Sequence, residues 1–430
     1  MSNNRYEDCV KYMQAQLPMY HRVGAAAYKT DITNTVLLCE HFGNPQNKLQ
    51  CIHIAGTNGK TSSSHFMASI LQKAGYKVGL YTSPHLVDFR ERIIVDGKMI
   101  DKDYVADFVE NNKAVFEKIR PSFFEMTFVL AIKYFVDMKV DYAVIEVGLG
   151  GRLDSTNVIT PLVSMITNIG FDHTQFLGNT LPAIAFEKAG IIKKNVPAVI
   201  GETQPETTMV YVKKAFQEDA PLIFADQVFR ISDVVQTMDK LSFKAVSGLT
   251  DEVYDVESAL VGHYEIKNIT SVLATVEVLS KQVPVSKQAV LDGLKSSILR
   301  GRWDIIGRNP LIVCDTGHNA EGLAETLEMI SFARYRKLHI IFGAVSDKKM
   351  DKTISLFPKD ATYYFCRPDI PRGMDVDVLT GWFAKAGISG KAFESCMDAL
   401  QAAKTAASPD DMIYVGGSTF VVADILSALR

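Results

Sequence analysis

The chain has 430 residues, 47% of them hydrophobic and 22% charged, with a net charge of −3. This is an ordinary globular composition, long for one core, and it excludes a global basic surface for nucleic acid. The opening MSNNRYEDCVKYMQ lacks the basic and apolar regions of a signal peptide, no apolar run reaches a membrane span, and Cys9, Cys39, Cys51, Cys314, Cys366 and Cys396 show no Cys-x-x-Cys spacing, so a cytoplasmic chain with reduced thiols and no membrane or nucleic-acid partner is expected.

In chain order, residues 49–54 read as a strand feeding AGTNGKTS (55–62) and a helix over 60–73 that ends at Gly75. A glycine-containing turn between strand and helix aims successive N–H groups at one point, and the helix dipole adds positive potential. Lys60 can then reach phosphates and Thr61 can offer its hydroxyl to Mg²⁺. The strict phosphate-loop pattern wants glycine at position 54, where Ile54 stands. On the triplet Gly59-Lys60-Thr61 alone, a simple turn with a solvated lysine is an equal reading.

Further strands are predicted at 77–81, 142–147, 162–167 and 198–200, with a helix at 124–137. In a parallel sheet the strand C-termini share one edge, so Glu146 and then His173 arrive beside the phosphate loop. Glu146 reads either as a Mg²⁺ carboxylate or as an isolated acidic strand end. His173 alone is more often structural and becomes a plausible ligand beside Glu146. Lys188 lies near the end of a predicted helix, where pattern alone makes it a solvated lysine. Residues 225–262 alternate and suggest a small antiparallel excursion, followed by helical stretches at about 265–281 and 286–297. A fresh strand–helix series begins at 311–315, with strands expected at 338–342, 362–365 and 412–415. Two domains, 1–298 and 299–430, are expected to face each other across a ligand cleft.

The segments AGTNGKTS (55–62), YTSPHLVDFRERI (81–93), VIEVGLGGRLDSTN (144–157), FDHTQFLG (171–178), EKAGIIK (187–193), LRGRWD (299–304), DTGHNAEG (315–322) and VGGSTFVVADI (415–425) together resemble the Mur ligase superfamily. Within it they resemble the dihydrofolate synthase/folylpolyglutamate synthase family. The resemblance implies an α/β protein: an N-terminal P-loop ATPase domain with a mostly parallel sheet, plus a smaller C-terminal Rossmann-like domain. It implies an ATP-dependent ligase, acting as a monomer, that adds L-glutamate to dihydropteroate or a reduced folate through an acyl phosphate.

By the same resemblance, Thr57, Asn58, Gly59, Lys60 and Thr61 bind ATP phosphates, and Asn268, Arg302, Asp315 and His318 hold the rest of the nucleotide. Ser83, Glu146, His173 and Lys188 match metal ligands for two Mg²⁺ sites, with Lys188 carbamylated, and Lys60, His173 and Lys188 match the catalytic group. Ser122, Phe123, Phe124, Glu125, Leu153, Asp154 and Ser155 match the acceptor-binding loops. Departures stand at Thr61, where many members have glycine, at Tyr264 in the adenine element, and at Ala320 after Asn319. A Mur-type ligase with a different acceptor, a P-loop kinase or switch, and a non-catalytic binding module are the competing readings. TSPHL and GLGGRLD disfavour the first, a large second domain the second, and retention of Lys60, Glu146, His173 and Lys188 the third.

Overall fold

The computed structural model describes residues 2–16, 31–346 and 353–429. The described residues form two compact units, one from Met1–Val234, Ser242–Ala259 and Glu265–Ser297, the other from Val235–Leu241, Leu260–Tyr264 and Ile298–Arg430.

The first unit opens with helix α1 (Ser2–Gln16) and is built on strands β1 (Cys51–Ala55), β2 (Val78–Tyr81), β3 (Ile93–Val95), β4 (Lys98–Met99), β5 (Tyr142–Glu146), β6 (Val163–Ile166), β7 (Ala198–Ile200) and β8 (Leu222–Phe224). Their order is β4-β3-β2-β5-β1-β6-β7-β8, parallel from β2 to β8 and antiparallel at the β2-β3-β4 edge. Every residue of β1 is buried, as expected of a parallel strand covered on both faces. Ile54 lies opposite Glu146 on one side and Met165 on the other. That register delivers the ends of β5 and β6 to either side of the loop that follows β1.

Helix α2 (Lys60–Lys73) has the predicted bounds. Helix α3 (Phe123–Asp137) starts one residue earlier than predicted, because Ser122 and Glu125 close a reciprocal capping box around its first turn. Helix α4 (Leu181–Ala189) carries Lys188 in its last turn. Residues 225–262 contain the anticipated sheet, in the order β11-β10-β9 for β9 (Phe229–Gln236), β10 (Leu241–Ser247) and β11 (Val253–Ser258). Strict alternation of buried and half-buried residues along β10 marks one covered face. Helices α5 (Glu265–Leu279) and α6 (Lys287–Ser296) follow, and both pack on α2. The hairpin of β3 and β4 was not anticipated.

The second unit holds β12 (Asp304–Arg308), β13 (Leu311–Cys314), helix α7 (Ala320–Ser331), β14 (Leu338–Phe342), β15 (Thr362–Cys366), β16 (Gly390–Phe393) and β17 (Met412–Gly416). Its sheet runs β12-β13-β17-β14-β15-β16, parallel except for β12. Val313, Ile340, Phe342, Phe365, Phe383 and Tyr414 form its core. The α/β class and the separate parallel C-terminal sheet are as expected. Among the described residues no helix is long and apolar enough to cross a membrane.

Candidate active site

The loop between β1 and α2 is shaped by its neighbours more than by itself. The Thr57 N–H donates to the Asn168 carbonyl at 3.0 Å, and the Asn58 N–H to the Asn168 side chain at 2.9 Å. The Thr167 hydroxyl donates to the Asn58 carbonyl at 2.5 Å. Gly59 caps α2 with φ of +78°, and a Cβ there would meet Asn268 Oδ1 at 2.0 Å. Glycine is therefore required twice over, by conformation and by contact. Asn268 is itself held by Glu265, which accepts from its Nδ2 at 2.8 Å and from the Ser62 hydroxyl at 2.8 Å. Glu265, fully buried, thus ties α5 to α2 beneath the turn.

Two lysines converge on one carbonyl. Lys60 Nζ donates to Gly56 O at 3.0 Å and to Thr57 O at 3.0 Å, while Lys188 Nζ, from α4, donates to the same Gly56 O at 2.9 Å. Lys188 is buried, contrary to the solvated reading of its pattern. Burial, followed by the nearby charge of Lys60, pushes its ammonium down to about 7. Asp172 acts in the opposite direction.

On the other flank, Glu146 is 1% exposed. It accepts the Thr61 hydroxyl at 2.9 Å and the Ser83 N–H at 3.3 Å. A buried carboxylate that gathers a phosphate-loop hydroxyl and a serine provides hard oxygen donors of the kind Mg²⁺ takes. His173 sits at φ of +50°, its N–H on Asp172 at 2.9 Å, at the start of the short helix after β6. Thr57 and Gly170 exchange hydrogen bonds and hold that segment to the phosphate loop.

Two of the residues expected at the acceptor, Phe124 and Asp154, meet at Gly148, where a Cβ would lie 2.4 Å from the Phe124 ring and 3.2 Å from Asp154 Oδ2. The polar groups of the acceptor residues are largely engaged within their own loops. Asp154 accepts the Leu149 N–H at 2.8 Å, the Thr156 N–H at 2.9 Å and the Thr156 hydroxyl at 2.5 Å. Burial raises its carboxyl above the usual range. Glu125 accepts the Ser122 N–H in the capping box. Phe123 lies under the Arg92 guanidinium at 5.4 Å, Leu153 is half-buried, and Ser155 opens the short helix Ser155–Val158.

In the second unit, Asp315 at the end of β13 accepts the Trp303 N–H at 2.9 Å, the Gly317 N–H at 2.7 Å and the Thr326 hydroxyl at 3.1 Å. His318 Nδ1 lies 3.0 Å from the Thr316 carbonyl, so Nδ1 carries a proton and donates there. Half-buried Arg302 adjoins Trp303 in the same turn. Sequence reading passed over Thr167, Asn168 and Glu265. The position of Asn168 directly after a strand, and the three-residue spacing of Glu265 and Asn268 on a helix, were the available signals.

The chain matches the Mur ligase middle domain over residues 54–276 and the Mur ligase, glutamate ligase domain over residues 301–419. It is 32% identical to the dihydrofolate synthase/folylpolyglutamate synthase of Bacillus subtilis, over 99% of each chain. It is 33% identical to a probable bifunctional folylpolyglutamate synthase/dihydropteroate synthase of Haloferax volcanii, covering 90% of this chain but only 47% of that longer protein. Among solved structures, Escherichia coli FolC in complex with DHPP and ADP aligns with a TM-score of 0.86 at 27% identity, over 99% of this chain and 97% of that one.

Proposed function

The chain belongs to the dihydrofolate synthase/folylpolyglutamate synthase family of Mur ligases, and on that premise we propose that it joins L-glutamate to dihydropteroate and to reduced folates at the expense of ATP. The observation that carries the reading is the convergence of Lys60 and Lys188 on the Gly56 carbonyl, beside a Glu146 bonded to Thr61.

A carboxylate is a poor acyl donor because its leaving group would be oxide. Transfer of the ATP γ-phosphoryl to it gives an acyl phosphate with a good leaving group. The N–H groups at the start of α2 and the Lys60 ammonium meet the phosphates and offset charge as the phosphoryl moves. The glutamate amine then attacks the acyl carbon, and the tetrahedral adduct collapses to the amide with loss of phosphate. We assign Ser83, Glu146, His173 and Lys188 as the residues that would hold Mg²⁺ at two positions, and a bound ion would supply further neutralisation of phosphate charge. Carbamylation of Lys188 fits its setting, since carbon dioxide reacts with a neutral amine and Lys188 is held near neutrality by burial. The product would be an anion able to support a cation where an ammonium repels one.

Asn268, through its contact with Gly59, is assigned to the nucleotide, as are Arg302, Asp315 and His318. Asp154 and Glu125 shape the acceptor loops through their backbone bonds, leaving Phe123, Phe124, Leu153, Ser122 and Ser155 to meet the acceptor. We infer a cytoplasmic monomer. Phosphate release, measured with dihydropteroate and with tetrahydrofolate, each with and without glutamate, tests the reading. Release that requires both acceptor and glutamate is expected, and ATP turnover indifferent to both would point to a kinase or switch.

A further inference from the structure

Strand β1 reads Cys51-Ile52-His53-Ile54-Ala55, and its middle residue does not suit its place. His53 is fully buried between parallel neighbours, opposite Ile145 of β5 and Ser164 of β6. A β-branched apolar residue would fit there, and burying a ring nitrogen with nothing to bond costs stability. Nδ1 is such an atom, with no hydrogen-bond partner among the described residues. The neighbouring Ser164 hydroxyl donates elsewhere, to the Ile191 carbonyl at 2.8 Å. What the histidine does reach is Thr156, whose hydroxyl lies 2.9 Å from Nε2.

Thr156, also fully buried, has one hydroxyl hydrogen, and that hydrogen is donated to Asp154 Oδ1 at 2.5 Å. The Thr156 oxygen therefore accepts from His53, which places the ring proton on Nε2. Burial first, then the charge of Lys193, keeps the ring neutral, so Nδ1 is bare. Asp154 also accepts the Thr156 N–H on Oδ1 at 2.9 Å and the Leu149 N–H on Oδ2 at 2.8 Å. Three donors on two oxygens favour the carboxylate form. A Cβ on Gly148 would lie 3.2 Å from that Oδ2 and 2.4 Å from the Phe124 ring, so carboxylate and ring close on one turn. A continuous buried chain thus runs from the middle of the sheet to the acceptor loops.

Resting on the ligase reading above, we propose that His53 and Thr156 are positioning residues for acceptor binding, which fix the Asp154 carboxylate and the Gly148–Leu149 turn that it holds beside Phe124. Neither residue touches the acceptor. His53 orients the Thr156 hydroxyl, the hydroxyl orients the carboxylate, and the carboxylate sets the turn. Hydrogen bonds linked in this way act as a unit, so removing the middle member disconnects both ends. A flat acceptor seated between fixed loops is sensitive to small displacements of either one.

The test measures kcat and KM for the acceptor, with dihydropteroate and tetrahydrofolate each assayed, and KM for ATP. The proteins are wild type, Thr156→Val, Thr156→Ser, His53→Met, His53→Gln and the double variant of His53→Met with Thr156→Val. Thr156→Val, which loses a bond to a charged group, should raise acceptor KM roughly 10- to 100-fold while KM for ATP holds within about threefold. Thr156→Ser keeps the hydroxyl and should stay near wild type. His53→Met should raise acceptor KM roughly 3- to 10-fold, and His53→Gln, whose amide can donate to Thr156, should recover most of that. Because His53 acts through the hydroxyl, the double variant should be no worse than Thr156→Val alone. A merely structural role would lower the active fraction, and so kcat, and leave acceptor KM unmoved. His53→Met can fail to fold, so the Thr156 pair decides on its own. Unchanged acceptor KM in Thr156→Val, or a nitrogen-15 spectrum of wild type with His53 protonated on Nδ1, overturns the inference and leaves the ligase reading standing. A wild-type protein that releases phosphate without acceptor overturns both.

Discussion

Lys60 and Lys188 share one carbonyl yet have opposite electrostatic settings. Lys60 is partly exposed at the head of α2, whereas Lys188 is enclosed and held down to about 7. Lys60→Ala should keep its melting temperature and lose ligation by about 100-fold or more, because its charge serves a transferring phosphoryl and not the core. Normal turnover in that variant would remove the phosphate-loop assignment. Lys188→Ala should be inactive and partly restored by a short-chain carboxylic acid that stands in for a carbamate. Full activity without additive would dismiss an essential role for the modification. Pattern alone misread Lys188 as a solvated helix lysine, because nothing local marks the face of α4 that turns toward Gly56. Only the resemblance, carried by EKAGIIK, pointed to it. Asp154 and Glu125, which the resemblance assigns to the acceptor, also brace the backbone: Asp154 accepts N–H groups of Leu149 and Thr156, and Glu125 accepts the Ser122 N–H and the Asn34 side-chain amide.

At the scale of elements, β1 carries the phosphate loop and also a buried histidine. His53 is fully buried, its Nε2 2.9 Å from the Thr156 hydroxyl, which donates to Asp154. Burial first, then the charge of Lys193, lowers His53 to about 3 from an unfolded value near 6.5. The unfolded state binds the proton first, so this contribution is complete above about pH 6.5 and is lost progressively as pH falls toward about 3. Melting temperature should accordingly fall more steeply between pH 6.5 and 4.5 in wild type than in His53→Gln. Parallel slopes would show that His53 does not govern the acid limb. Legibility varied by element for physical reasons. Gly59 and Gly75 punctuate α2, so its bounds were readable, and the apolar centre of β5 with the mostly apolar runs of β1 and β6 announced buried parallel strands. The edge hairpin of β3 and β4 is only three and two residues long and is set by pairing with β2, a tertiary constraint with no local period.

Across the whole molecule, the sequence rhythm foretold two parallel-sheet units, but not that 235–241 and 260–264 group with the second. Those short segments lack any compositional signal and are claimed by packing, with Trp303 Nε1 donating to the Met238 carbonyl at 3.0 Å. The reading of the protein as one enzyme with two acceptors makes a molecule-level prediction. Dihydropteroate and tetrahydrofolate should both be ligated, and each should competitively inhibit use of the other. Activity on tetrahydrofolate with none on dihydropteroate would restrict the enzyme to chain extension.

The claim beneath all of these is that ATP activates the acceptor carboxylate as an acyl phosphate before glutamate attacks. It predicts a specific oxygen transfer. With dihydropteroate labelled by oxygen-18 in both carboxylate oxygens, one labelled oxygen should appear in the released phosphate for each amide formed, as read by mass spectrometry. Unlabelled phosphate accompanying labelled amide product would contradict the account, because the carboxylate oxygen would then never have been bonded to phosphorus.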